Sequence, residues 1–150
     1  MLEAIRLSAE MMRRGEGGPF GAVVVKAGRI IARGYNRVTS TNDPTAHAEI
    51  VAIRAACGQL ADFRLTGCDL YVNCEPCPMC LAAIYWAHID RVFYAGTKED
   101  AAAIGFDDDF IYHELKLPLP ERRLRMTQML REEAVAVFKE WQAKEDKILY

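Results

Sequence analysis

The sequence predicts an α/β fold, a three-layer α/β/α sandwich around a mixed five-stranded sheet. Three observations carry this. The length of 150 residues suits one domain. Short β-branched runs alternate with stretches of helical apolar spacing. A hairpin comes first, and helices separate the later strands, which gives antiparallel and parallel neighbours in one sheet.

The elements run in order along the chain. Leu2, Ile5, Ala9 and Met12 recur at helical spacing, and Gly15 stops that helix. Residues 15–19, Gly-Glu-Gly-Gly-Pro, form a loop. Residues 20–26 are a strand, Ala27-Gly28 a turn, and Arg29 to Tyr35 the hairpin's second strand. The polar stretch 37–45 is a loop. Asp43 followed by Pro44 predicts a helix start there, with Ile50, Ile53, Cys57 and Leu60 on its apolar face. Leu70 to Asn73 is a strand. Pro78 opens the next helix, with Met79, Ala82, Ala83 and Trp86 expected inward. Arg91 to Ala95 is a strand and 97–103 a short helix. Residues 104–121 read as irregular, Arg123 to Met129 as a last strand, and a final helix carries Ala134, Val137, Phe138 and Trp141 on one face.

Composition narrows the function classes. The net charge is −2, so the phosphate-binding surface that recruits folded nucleic acid is not expected. The basic cluster Arg122, Arg123, Arg125 and Arg131 reads as a solvated face. No apolar run is long enough to span a membrane, and the N-terminus lacks a signal-peptide pattern. Of five cysteines, Cys74, Cys77 and Cys80 fall within seven residues. An odd, clustered set suits metal binding better than disulfides and points to the cytoplasm.

Two segments carry chemistry, His47-Ala48-Glu49 and Pro76-Cys77-Pro78-Met79-Cys80. A catalytic zinc needs three protein ligands and an open position for water. His47, Cys77 and Cys80 meet that count, with one zinc per chain. Cys77 falls at a helix start and Cys80 in the first turn, where unpaired N–H groups favour thiolates. Mid-helix, His47 and Glu49 would diverge; at a helix N-terminus both reach a cavity off its end. Glu49 is then free to carry protons to and from hydroxide generated at zinc. A closed structural site with Cys74 as fourth ligand would leave Glu49 unexplained. Cys74, Cys57 and Cys68 read as packing thiols.

The joint pattern His-x-Glu with Pro-Cys-x-x-Cys matches the zinc deaminase signature. The chain further resembles the bacterial guanine deaminases of the cytidine deaminase-like superfamily. The resemblance runs through Gly17–Ala22, Asn36, Asn42–Glu49, Cys74–Cys80, Tyr85-Trp86-Ala87, Gly105-Phe106-Asp107-Asp108, Phe110-Ile111-Tyr112 and Tyr150. The zinc segments are common to many relatives, tRNA adenosine deaminases included; Phe106-Asp107-Asp108 and Tyr150 mark the guanine branch. The resemblance implies hydrolysis of guanine to xanthine and ammonia, zinc hydroxide attacking C2 with Glu49 as proton shuttle and Asp108 as a second catalytic carboxylate. It implies Phe20, Asn36, Ala48, Trp86, Asp108 and Tyr150 as substrate contacts. It also implies a homodimer that exchanges the C-terminal segment, residues 122–150, so that Tyr150 serves one site or the other.

Other readings differ in what they require. Guanosine or an aminated triazine could share the catalytic core. A tRNA adenosine deaminase would want a basic surface and a pocket for a flipped base. A non-catalytic zinc module would show a fully coordinated metal and indifference to Glu49.

Overall fold

A computed structural model describes residues 1–149, so Tyr150 lies outside the described residues. They form two compact units, Met1–Asp109 and Phe110–Tyr150, and the segment 122–150 falls within the second.

The first unit holds α1 (Leu2–Arg13), β1 (Gly21–Lys26), β2 (Arg29–Tyr35), α2 (Val38–Thr41), α3 (Ala48–Leu60), β3 (Cys68–Cys74), α4 (Pro78–Trp86), β4 (Arg91–Gly96) and α5 (Lys98–Ala103). Among the described residues the sheet has four strands in the order β2-β1-β3-β4. β1 pairs antiparallel with β2 and β3, and β3 pairs parallel with β4 across α4. The mixed sheet and the hairpin agree with the sequence.

The core fills the space between the sheet and the α3/α4 layer. Ala22, Val24, Leu70 and Val72 from the strands meet Ala48, Ala52 and Ala56 of α3, with Ile84 and Ala87 from the α4 side. α1 buries Ala4, Leu7 and Ser8. Alanines at the α3 contact keep that helix close, and Gly34 of β2 makes the approach possible. A Cβ on Gly34 would lie 2.1 Å from the Ala48 carbonyl oxygen and 2.5 Å from the Ala52 nitrogen.

Several expectations are corrected. The fifth strand at Arg123 to Met129 does not form; β2-β1-β3-β4 is the whole described sheet. Its alternating apolar residues supply a face, but a strand also needs a partner ladder, and among the described residues none runs beside it. Asp43-Pro44 does not open α3. The Asp43 carboxylate instead accepts from the Thr45 amide and hydroxyl, closing a turn, and α3 starts at its N-cap His47. Residues 37–45 contain the short α2. Residues 104–121 contain α6 (Asp109–Lys116) and a 3-10 turn at Leu119–Glu121. On α4 the inward positions are Cys80 and Ile84, while Trp86 is 64% exposed. Every residue of α4 is apolar or weakly polar, so spacing alone could not choose its face.

The second unit includes an irregular connection and α7 (Arg131–Ala143). The Arg122 guanidinium donates to the Leu117 and Leu115 carbonyls, and the Glu114 carboxylate accepts from the Arg123 amide. Val137 and Phe138 of α7 are exposed.

Gly34→Ala is expected to destabilise the protein by about 1–3 kcal/mol or more, because the added methyl meets helix backbone that must shift. Thermal denaturation of the purified variant checks this. An unchanged Tm would mean that α3 is free to move away from β2.

Candidate active site

Strand direction decides where the functional residues gather. β2, β3 and β4 run parallel to one another, so their C-terminal ends share one edge with the N-terminal end of β1. The pairs Gly21–Tyr35 and Cys74–Gly96 mark that edge. Phe20, Asn36, Cys74 and Thr97 therefore emerge side by side, outside the carboxyl ends of the strands, where α/β sheets commonly bind ligands.

A cavity of about 460 Å³ opens at this edge, entirely within the first unit. His47 and Glu49 enter it from the start of α3 and Cys77 from the start of α4. His47 is the N-cap of α3 and Glu49 lies in its first turn; Cys77 is the N-cap of α4 and Cys80 lies in its first turn. Two helix N-termini thus point their positive ends at one place, which favours thiolate and carboxylate there.

His47 Nδ1 lies 3.5 Å from the sulfur of Cys77 and 3.5 Å from that of Cys80. The three donor atoms all lie within 4.8 Å of one another. Tetrahedral zinc with ordinary Zn–N and Zn–S bonds separates nitrogen from sulfur by about 3.6 Å. The donor set fits zinc in chemistry and in spacing, and its three donors are one fewer than tetrahedral zinc takes. Cys74 stays outside the cluster; its thiol donates to the Thr97 carbonyl at 3.5 Å.

The electrostatics agree. The Cys80 thiol facing Cys77 draws the Cys77 pKa down to about 4, burial opposes this, and the His47 imidazole adds to the lowering. Cys80, the proton-bearing member of the pair, is pushed up by that contact and by burial. His47 is raised, chiefly by its contact with anionic Cys77. Burial raises Glu49, only 8% exposed, and the Cys77 charge adds to it. Burial also raises Asp108, and again the Cys77 charge adds to it. Cys74 rises to about 11, through burial and the nearby carboxylates of Glu49, Glu75 and Asp108.

The opposite wall is aromatic and polar. Phe20 meets Phe106 edge to face, with ring centroids 4.9 Å apart at 89°. Asn36 is 6% exposed and lines the cavity. Its Oδ1 accepts from the amides of Gly18 at 3.3 Å and Val38 at 3.2 Å. With the oxygen so committed, the amide N–H group is what Asn36 offers to the cavity. Gly17 lets the loop close over it, since a Cβ there would lie 2.1 Å from the Asn36 carbonyl oxygen.

The cavity thus brings together Phe20, Asn36, His47, Glu49, Cys77 and Asp108. Ala48 is buried in the core at 1% exposure, its carbonyl close to Gly34. Trp86 sits at the end of α4, outside the residues that line the cavity. Sequence patterning did not single out Glu75, Lys98 or Asn73. Glu75 and Lys98 border the cavity. Asn73 ties its rim together, accepting from the Gly21 amide and donating to the Ser8 hydroxyl and the Pro19 carbonyl. An amide directly after the apolar run Leu70-Tyr71-Val72 was the available signal for it.

Known proteins resemble this chain in sequence and in fold. Residues 1–96 match the model of the cytidine and deoxycytidylate deaminase zinc-binding region. The chain is 54% identical over 138 residues to guanine deaminase of Bacillus subtilis (strain 168), covering 92% of this chain and 88% of that one. A solved guanine deaminase structure from Bacillus subtilis superposes with a TM-score of 0.96 at 51% identity, covering 99% and 94%. The tRNA-specific adenosine deaminase of Agrobacterium fabrum is 52% identical over 86 residues, 57% of each chain. The protein NE0047, solved in complex with 2,6-diaminopurine, superposes with a TM-score of 0.68 at 30% identity, covering 99% and 82%.

The purified protein is expected to carry one equivalent of zinc per chain by plasma emission spectrometry. Cys77→Ala or Cys80→Ala should lose most of it under dialysis that leaves the unaltered protein loaded. Full retention by both variants would show that the ion is held elsewhere.

Proposed function

We propose that this chain, which belongs to the cytidine and deoxycytidylate deaminase zinc-binding family, hydrolyses guanine to xanthine and ammonia. The observation that carries the chemistry is the triad His47, Cys77 and Cys80 with buried Glu49 in the same cavity. The similarity to guanine deaminase over nearly the full length carries the substrate.

His47, Cys77 and Cys80 would hold a zinc ion, which when bound would activate water for attack near neutral pH. The residues of the chain do the rest. Glu49, raised by burial, sits close enough to the ligands to take a proton, deliver it to a ring nitrogen and return one to the departing ammonia. Phe20 and Phe106 hold the purine plane. Asn36 donates to a ring nitrogen or to the carbonyl oxygen of the base. Asp108 faces the same space and serves as a second proton carrier and polar contact. A base that leaves these buried groups unpaired is rejected strongly, which favours guanine over purines lacking its pattern.

Assembly and location belong to the same reading. We take the protein to be a homodimer that exchanges residues 122–150, so that each Tyr150 closes the partner's site. The second unit supports this, with Leu124, Met126, Met129, Val137 and Phe138 all exposed in the single chain. The cytoplasm suits five free thiols, and among the described residues no helix is long and apolar enough to cross a membrane. Neither nucleic acid nor a membrane is a partner in this reading.

Glu49→Ala is expected to lower kcat for ammonia release from guanine by about 10²–10⁴-fold while zinc stays bound. Loss of the metal with this substitution would make Glu49 a support of the zinc site instead. Turnover of guanosine, an aminated triazine or a tRNA adenosine with guanine inert would replace the substrate.

The exchanged dimer predicts complementation. Glu49→Ala and Tyr150→Ala chains, each inactive alone, should regain activity when refolded together, because one mixed site then has both residues. No recovery, with mixed dimers confirmed by mass spectrometry, would place Tyr150 in its own chain's site.

A further inference from the structure

We propose that Glu75 is a positioning residue that brings Asp108 to the cavity by fixing the start of α5. Glu75 follows the last residue of β3, and its amide donates to the Gly96 carbonyl at the end of β4 at 2.8 Å. Its carboxylate Oε2 accepts from the Lys98 amide at 3.3 Å, the first residue of α5. The same helix start carries a capping box. Thr97 donates its amide to Asp100 Oδ2 at 2.8 Å, and the Asp100 amide donates to Thr97 Oγ1 at 3.3 Å.

α5 has six residues, too few to hold itself in water, so its placement depends on such end contacts. The cavity wall comes directly after it in the chain. The Phe106 amide donates to the Ala101 carbonyl at 3.0 Å, and Asp107 Oδ1 accepts from the Asp109 amide at 3.0 Å. Lys98 Nζ then reaches Asp109 Oδ1 at 3.3 Å. Lys98 is thus held at its amide by Glu75 and holds the far end of the Phe106–Asp109 loop with its ammonium. Asp108 lies between these two ties. Glu75 therefore joins the strand end that leads to Cys77 with the loop that carries Asp108, and acts on the substrate through that loop.

The inference rests on the role of Asp108 in guanine turnover, but its first test does not. Hydrogen exchange of zinc-loaded protein should show residues 98–109 losing protection in Glu75→Ala and Glu75→Met, while 48–57 of α3 keep theirs. Glu75→Met preserves bulk without the acceptor, and so separates the hydrogen bond from packing. Glu75→Gln, which keeps an oxygen acceptor, should behave as the unaltered protein. Unchanged protection in both Glu75→Ala and Glu75→Met overturns the proposal, whatever the substrate.

The second test is kinetic. Glu75→Ala is expected to lower kcat/KM for guanine by about 10–100-fold at full zinc content, with Glu75→Gln restoring it to within about threefold. Combined with Asp108→Ala, the Glu75→Ala substitution should cost little more, because both remove one contribution. Additive losses, or loss of zinc in Glu75→Ala, would overturn the proposal by making Glu75 act directly on the base or on the metal loop. An unaltered protein inert toward guanine would instead remove the substrate reading and leave the exchange result standing.

Discussion

Two helices that begin at the same point control this structure. α3 starts on His47 and α4 on Cys77, and the imidazole nitrogen stands 3.5 Å from both sulfurs. That meeting follows from the sheet. β1 lies between β2 and β3 and is antiparallel to both, so the outer two run the same way and release their helices at the same edge. The alanine face of α3 and Gly34 of β2 then set how deeply the first helix sits. A shift of either helix along the sheet would separate ligands that come from distant parts of the chain.

The convergence has an electrostatic consequence. Cys77, Glu49 and Asp108 bring acidic groups into one cavity, where the Cys77 charge opposes the ionisation of both carboxyls. Helix N-termini offset part of that repulsion, and a divalent cation at the His-Cys-Cys cluster offsets far more. Glu49 is the buried carboxyl among the described residues, and burial is the first cause that raises it. A carboxyl raised by burial keeps its proton to higher pH than an exposed one, the property on which the proposed shuttle role draws. The lowered Cys77 and the raised Glu49 and Asp108 thus belong to a single arrangement of charge.

Much of this was legible in the sequence, and the rest was not for identifiable reasons. His47, Glu49, Cys77 and Cys80 stood out because few other roles require those residue types at that spacing. The α/β alternation and the hairpin were read from apolar patterning. Patterning failed where it carried no contrast or lacked a partner. α4 is apolar on all sides, so its inner face was misplaced and Trp86 was turned inward. Residues 123–129 have the alternation of a strand but no neighbouring ladder among the described residues. Asp43-Pro44 has the chemistry of a helix start, yet Thr45 captured the carboxylate first and the helix began at His47. Glu75, inside the matched segment Cys74–Cys80, and Asn73, after an apolar run, were given no role, because their bonds reach residues far away in sequence.

Those long-range bonds also hold the loops of the cavity in place. The zinc ligands and Glu49 lie on the first turns of helices packed into the core, where drift is costly. The other groups that line the cavity lie on loops, at Phe20, Asn36 and Phe106–Asp108. Loops accept substitution easily, but a site needs them held to within a fraction of an ångström. Polar residues at the strand ends meet both demands. Asn73 binds the loop before β1 at the Pro19 carbonyl, Asn36 uses its oxygen to hold both that loop at Gly18 and its own at Val38, and Glu75 binds the helix before Phe106. Each anchor leaves the loop's own side chains free to vary while fixing its backbone. The cavity is therefore shaped by the loop residues that line it and kept in shape by the strand-end residues that anchor those loops.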